Sequence, residues 1–292
     1  MINAFLTYDF LQYALFTGVM IGLIAPLLGV FLVVRRMSLI ADALSHITLS
    51  GIAFSLLLGS YIFMQGVNPL YMGMAFSVSG SLFMEKLRQV YVHYKEIAIP
   101  IIMSAGIGLG VVFISMANGF NNDLLNYLLD QLLLVNQSDF ITIAIITVVV
   151  LFVLFFFYKE LFFLSFDEEQ ARVSGINRKL VHVVFMVMVA LVIAASMRVV
   201  GILLVSALMT LPVASAMRFA KGFKQLFLYA VIFGEVAVIG GLMIAFQLSL
   251  APGGVIVVLS VILLLLSILF GRNSGKRGRF PLKKKSQFSS QK

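Results

Sequence analysis

The sequence predicts an all-α protein, a polytopic membrane bundle of about eight to nine crossing helices, and three observations predict it. Hydrophobic residues make up 61% of the 292 positions and charged ones only 11%, with a mean hydropathy of +1.08, well above the near-even apolar share of soluble domains. The apolar residues gather into runs near the ~20 residues that a helix needs to cross hydrocarbon. The basic residues gather in alternate gaps between those runs. No water meets the backbone inside a bilayer, so each run must close its hydrogen bonds within itself as a helix.

Nine runs have the length, at about 11–34, 38–60, 69–84, 97–116, 139–158, 180–197, 199–217, 225–247 and 253–271. The third, sixth and seventh are short or interrupted, so eight spans with one re-entrant segment is the second reading. The opening MINAFLTYDF lacks a basic stretch and a small-residue cleavage site, so insertion is expected to rest on the spans themselves. Residues 1–271 read as one transmembrane domain. Residues 272–292 carry eight Lys and Arg and read as a disordered basic cytoplasmic tail near anionic lipid head groups. Within it GRNSGKR is one residue too short for a phosphate loop, and Arg277 stands where a hydroxyl should hold Mg²⁺. Most of the net charge of +9 lies in this tail, which gives no reason to expect nucleic-acid binding.

Lys and Arg set the orientation. With the C-terminus in the cytoplasm and nine crossings, Arg198 alone among the basic residues falls outside, and the N-terminus lies outside too. Gly106, Gly108 and Gly110 in the fourth span and Gly240–Gly241 in the eighth suggest close helix packing, and the fifteen methionines read as adaptable core filling. The external segment ANGFNNDLLNYLLDQLLLVNQ, 117–137, becomes amphipathic after its Asn-rich start and reads as an interfacial helix.

The long inner connection KELFFLSFDEEQARVSGINRK, 159–179, contains a complete short-helix pattern. Ser165 is an N-cap candidate with Glu168 three residues on. Asp167 and Glu169 add negative charge to the first turn, Arg172 sits late, and Gly175 supplies the stop. A self-capped helix lying across the membrane face suits the transmission of a push from a soluble partner, although a plain connector has the same pattern.

The second span, RRMSLIADALSHITLSGIAFSLLLG, carries Asp42 and His46. A charge at the centre of a span costs about 2.5–3.5 kcal/mol on insertion scales. Four residues apart, the two side chains share one helical face, and a helix starting just after Arg36 would put His46 about 15 Å in, near mid-depth. They either address one ion or form a hydrogen-bonded pair that packs the helix. The chain has no cysteine, so a metal site would use oxygen and nitrogen. His93 and His182 read as interfacial, and Glu235, near the centre of the eighth span, as either a functional or a hydrogen-bonded structural carboxylate.

RRMSLIADALSHITLSGIA, FDEEQARVSGIN, VVGILLVSALMTLPVASAMR and APGGVIVVL, in this order across nearly the whole chain, resemble the permease subunit of the zinc and manganese ABC importers, the ABC-3 type. DLLNYLLDQLLLV and VYVHYKE look closest to the zinc branch. The resemblance implies a helical permease of the bacterial cytoplasmic membrane that pairs with a second copy, with two cytoplasmic ATPase subunits, and with an external solute-binding protein that delivers metal. It implies no catalysis by this chain and no permanently bound cofactor, with Zn²⁺ or Mn²⁺ as cargo. Carried over by position, Asp42 and His46 line the metal path, and 165–175, with Asp167, Glu168, Glu169, Ala171, Arg172 and Gly175, is the coupling helix. Two copies would offer two carboxylates and two imidazoles, a set suited to Zn²⁺ or Mn²⁺ rather than Mg²⁺ or Cu⁺. Glu235 answers to no motif of the family. A gradient-driven divalent-cation transporter would need its own coupling-ion site, for which intramembrane carboxylates are few, and a non-transporting scaffold would leave the Asp–His pair structural.

The orientation has a direct test in a chain without native cysteine. A single cysteine introduced in 117–138 is expected to react with an impermeant thiol reagent added outside intact cells, and one in 165–175 is expected not to. The opposite labelling pattern overturns the orientation.

Overall fold

The structure, a computed structural model, describes residues 9–60, 68–91, 93–117, 137–166, 171, 173–248 and 250–271. Among these residues it is helical and without strands. The chain runs through α1 (Asp9–Val34), α2 (Leu39–Ser60), α3 (Pro69–Val90), a single 3₁₀ turn at Lys95–Ile97, α4 (Ala98–Met116) and α5 (Gln137–Phe156). It continues through the short α6 (Tyr158–Phe166), α7 (Arg178–Val200), α8 (Ile202–Ala216), α9 (Phe223–Leu248) and α10 (Pro252–Gly271). Each of the nine predicted runs is one of these helices, and α6 is the addition. Seven are long and apolar enough to cross a membrane, and α8 contains a shorter apolar helix. The 22-residue α3 is more polar at its end, where Glu85, Lys86 and Arg88 follow the apolar run.

Turn chemistry explains the boundaries. After α1 the amide of Met37 reaches back to the carbonyl of Leu32 at 2.8 Å, and Arg36 takes φ 57°. This is the left-handed helix stop usually built with glycine, here at a non-glycine residue that accepts roughly 1–2 kcal/mol of strain. Asn68 caps α3, its side chain accepting from the Leu70 amide at 3.0 Å, with Pro69 in the first turn. Gly201 joins α7 to α8 at φ 78°, ψ 166°, a conformation open in practice only to glycine.

The long apolar helices divide into a buried set and an exposed set. The apolar stretches of α1, α2 and α7 are 67%, 72% and 67% buried, whereas those of α4, α5, α9 and α10 are 22–33% buried. Phe152, Phe155, Phe156, Leu269 and Phe270 are exposed on the outer helices. A span that reads in sequence as lipid-bound, α2, is therefore the most enclosed of the long helices.

Close approach at glycine holds the buried set together, because lipid tails leave no hydrophobic force to press helices against each other. A Cβ on Gly29 of α1 would collide with the Met209 carbonyl oxygen of α8. A Cβ on Gly234 of α9 would stand 2.6 Å from Pro26 Cγ and 2.7 Å from the Gly22 oxygen of α1. A Cβ on Gly106 of α4 would stand 2.8 Å from the Ile47 amide nitrogen and 2.9 Å from the His46 carbonyl carbon of α2. Gly241 packs as tightly on Ile256 of α10, while Gly108 meets nothing within 4 Å. Ser77 of α3 adds a hydroxyl bond to the Ala190 carbonyl of α7 at 3.0 Å.

Gly29→Ala is expected to lower the thermal unfolding midpoint of the detergent-solubilised protein, with overpacking against backbone costing about 1–3 kcal/mol. Gly108→Ala, with open space around it, is expected to leave the midpoint unchanged or raise it slightly. Equal midpoints for the two variants would show that the α1–α8 approach is not a structural constraint.

Candidate functional site

The first turns of α2 carry the candidate site. Because the left-handed turn at Arg36 is followed by Met37 and Ser38, the helix begins at Leu39. His46 therefore stands seven residues beyond the helix start, about 10 Å along the axis, where a start just after Arg36 would put it about 15 Å in. Ala41, Ala43, Leu44, Ser45, Ile47 and Thr48 are buried, whereas Asp42, His46 and Leu49 are half-buried and Leu39 is exposed. These four lie at spacings of three and four residues, so they form one stripe along an otherwise enclosed helix.

The hydroxyls around the pair are occupied locally. Ser45 donates to the Ala41 carbonyl at 2.9 Å, Thr48 to Leu44 at 2.7 Å and Ser50 to Ile47 at 2.7 Å. Among the described residues neither Asp42 nor His46 forms a hydrogen bond or ion pair, with each other or with a third group. The hydrogen-bonded packing pair is thus not the arrangement found. Among the described residues no three His, Asp or Glu gather where a metal ion could be held, so a single chain contributes the two groups and Glu235 does not join them.

Glu235 is turned to α1 instead. Its Oε1 lies 3.3 Å from where a Cβ on Gly22 would stand, and its buried Oε2 has no hydrogen-bond partner among the described residues. Pro26, inside α1, has no N–H to offer the Gly22 carbonyl four residues back. The carboxyl group thus packs beside the turn of α1 that lacks this helical hydrogen bond.

The coupling segment is partly visible. Asp167, Glu168, Glu169 and Arg172 lie outside the described residues, as do most of the predicted amphipathic segment (118–136) and the tail (272–292). Ser165, expected as the N-cap, belongs to the last turn of α6, where its hydroxyl donates to the Leu161 carbonyl at 2.7 Å. Ala171 is fully buried. The helix stop at Gly175 is as expected, with φ 78° and the Ile176 amide bonded to the Ala171 carbonyl at 3.1 Å.

A second cluster forms where α1, α3 and α7 end or begin. His182 is buried there, with Nε2 at 2.7 Å from Glu85 Oε2 and Nδ1 at 2.9 Å from Arg35 Nη2. Arginine can only donate, so Nδ1 accepts from Arg35 and Nε2 carries the proton, within ion-pair distance of Glu85 Oε2 although that oxygen has no hydrogen-bond partner among the described residues. Arg88 Nη1, 3.1 Å from Nε2, is then a neighbour of the imidazole rather than a hydrogen-bond donor to it. His93 is exposed in the turn before α4. Sequence spacing places His182 at an interface without naming Glu85 and Arg35 beside it, since they lie 97 and 147 residues away along the chain.

The sequence model of the ABC 3 transport family matches residues 7–271. The manganese transport system membrane protein MntC of Listeria monocytogenes is 32% identical over 274 residues, covering 94% of this chain and 95% of its own. The high-affinity zinc uptake system membrane protein ZnuB of Haemophilus influenzae is 34% identical over 261 residues, covering 89% and 97%. The structure of PsaBC from Streptococcus pneumoniae in complex with Fab has a similar chain, with a TM-score of 0.79 at 29% identity over 91% of this chain and 94% of that one.

Proposed function

The chain belongs to the ABC 3 transport family as a multi-pass bacterial membrane permease, and on that premise we propose that it carries a divalent transition metal into the cell past Asp42 and His46. One observation carries this reading: the half-buried stripe of the most enclosed helix holds a carboxylate and an imidazole with no partner among the described residues. Polar groups at depth need compensation, and a cation passing between them provides it. Borderline O and N ligands suit Zn²⁺ and Mn²⁺ alike, and relatives named for manganese and for zinc are similarly close. Two ligands per chain are few for either ion, so a second copy of the permease supplies the rest.

An ATPase dimer drives transport by pushing on 165–175, and an external binding protein delivers the metal. The family membership supports these partners. It also weighs against a gradient-driven transporter, which would need a coupling-ion site of its own.

Asp42→Ala and His46→Ala are each expected to reduce metal uptake by cells at least about tenfold, as loss of a ligand does, with unchanged amounts of protein in the membrane. Asp42→Asn keeps shape and hydrogen bonding but removes the charge, and is expected to fail equally. Wild-type uptake by the Asn variant overturns the metal path. Competition between unlabelled zinc and manganese in the same assay identifies the cargo. Separately, Glu168→Lys and Arg172→Glu are expected to weaken association with the ATPase or to uncouple hydrolysis from uptake, with insertion intact. Normal uptake and normal complex recovery in both variants would reduce the segment to a connector.

A further inference from the structure

A cavity of about 610 Å³ is lined by residues of α1, α5, α6 and α9, a size within the range of small-molecule sites. Leu27, Leu151, Leu154 and Phe227 give it apolar walls. It opens on the surface of the molecule beside α5, where two of its lining residues, Phe155 and Phe156, are 84% and 65% exposed. The apolar stretch of α5 that ends at Phe156 is only 28% buried, so this surface is one that hydrocarbon covers in a membrane. Water gains little in a space with apolar walls, whereas a lipid chain entering from the side supplies the dispersion contacts that the walls otherwise lack.

The cavity is not wholly apolar. Tyr158, Lys159 and Glu160, in the first turn of α6, line it directly after the span of α5, and tyrosine and lysine at a span terminus mark the head-group level. Lys159 is exposed and in no ion pair among the described residues. Glu160 is half-buried, and its buried Oε2 has no hydrogen-bond partner among the described residues, a costly state for a carboxylate oxygen. One cation and one carboxylate side by side complement a zwitterion, whereas a simple anion would meet the carboxylate as well as the lysine. The orphan oxygen sets a stricter condition, because only a head group with an N–H or O–H can donate to it. Choline has neither, and a primary ammonium has three N–H donors. We infer that the cavity holds a phospholipid of the phosphatidylethanolamine type, with its ammonium group on Glu160, its phosphate on Lys159 and an acyl chain among the apolar walls. The lipid joins the first turn of α6 to α1 and α9.

The purified full-length protein in neutral detergent is titrated with phosphatidylethanolamine, phosphatidylcholine or phosphatidylglycerol carrying the same chains, and the unfolding midpoint and the lipid adducts in native mass spectrometry are followed. Phosphatidylethanolamine is expected to raise the midpoint and to bind roughly tenfold more tightly than the other two, the share of one hydrogen bond to a charged group. Glu160→Gln keeps the shape of the side chain and removes its charge. It is expected to abolish this preference, with phosphatidylcholine bound as by the wild type. Leu151→Phe narrows the cavity without altering the polar pair, and is expected to weaken all three lipids together. Each comparison of lipids is made on one and the same variant, so a lower lipid-free midpoint leaves the preference readable. Equal binding of the three lipids by the wild type overturns the ethanolamine assignment, and tighter binding of phosphatidylglycerol overturns it in favour of an anionic lipid. A preference that survives Glu160→Gln overturns the head-group site, and undiminished binding by Leu151→Phe overturns the placement of the chain.

Discussion

The approach of α4 to α2 at Gly106 is the contact on which the candidate metal path depends. With hydrogen as its side chain, Gly106 lets one helix backbone rest on another at the peptide that joins His46 to Ile47. Dispersion contacts of this kind are the main attraction available between helices in lipid. They fix the piece of α2 that carries both candidate ligands, and any larger residue at 106 would displace that piece. The same device joins α1 to α8 at Gly29 and to α9 at Gly234, so the enclosed helices are positioned by backbone contact rather than by long interdigitating side chains.

The end of the bundle where α1 and α3 stop and α7 starts is built differently. Phe31 of α1 meets Phe185 of α7 and Phe223 and Phe227 of α9 at ring-centroid distances of 5.2–6.0 Å. Phe162 and Phe166 of α6 join at Phe223, at 4.9 and 5.4 Å. Edge-to-face aromatic contacts of this kind are directional, and they anchor α6 to the bundle next to the segment expected to couple. Beside them the Arg35–His182–Glu85 network ties α1 and α3 to α7. Movement of residues 165–175 would therefore act on elements that are themselves joined to α1, α3, α7 and α9.

Much of the candidate site was legible in sequence. A four-residue spacing within a span is enough to put Asp42 and His46 on one face, and Gly175 after a late Arg172 is enough to mark a helix stop. The start of α2 was less legible, because the left-handed turn at Arg36 is taken by a residue that gives no local sign of it. Ser165 misleads for a related reason: a serine followed by a glutamate three residues on looks like a cap, yet in α6 its hydroxyl is satisfied by its own helix. The surroundings of His182 and Glu235 could not be read from the sequence, since they come from helices distant in the chain.

The sequence by itself indicated where nine of the ten helices lie, which orientation across the membrane is expected and which polar pair on α2 shares a face. Each follows from local chemistry: run length against bilayer thickness, basic residues in loops, and helical spacing. Which helices stand inside the bundle was decided only by the tertiary structure. The membrane stretches of α1 and α4 have the same mean hydropathy, yet one is 67% buried and the other 28%. Lipid tails and a protein interior are equally apolar, so composition cannot tell a helix which of the two it will face. That choice rests on where two backbones can come close enough to touch, and it is this choice that leaves Asp42 and His46 on the half-buried stripe of an otherwise enclosed helix.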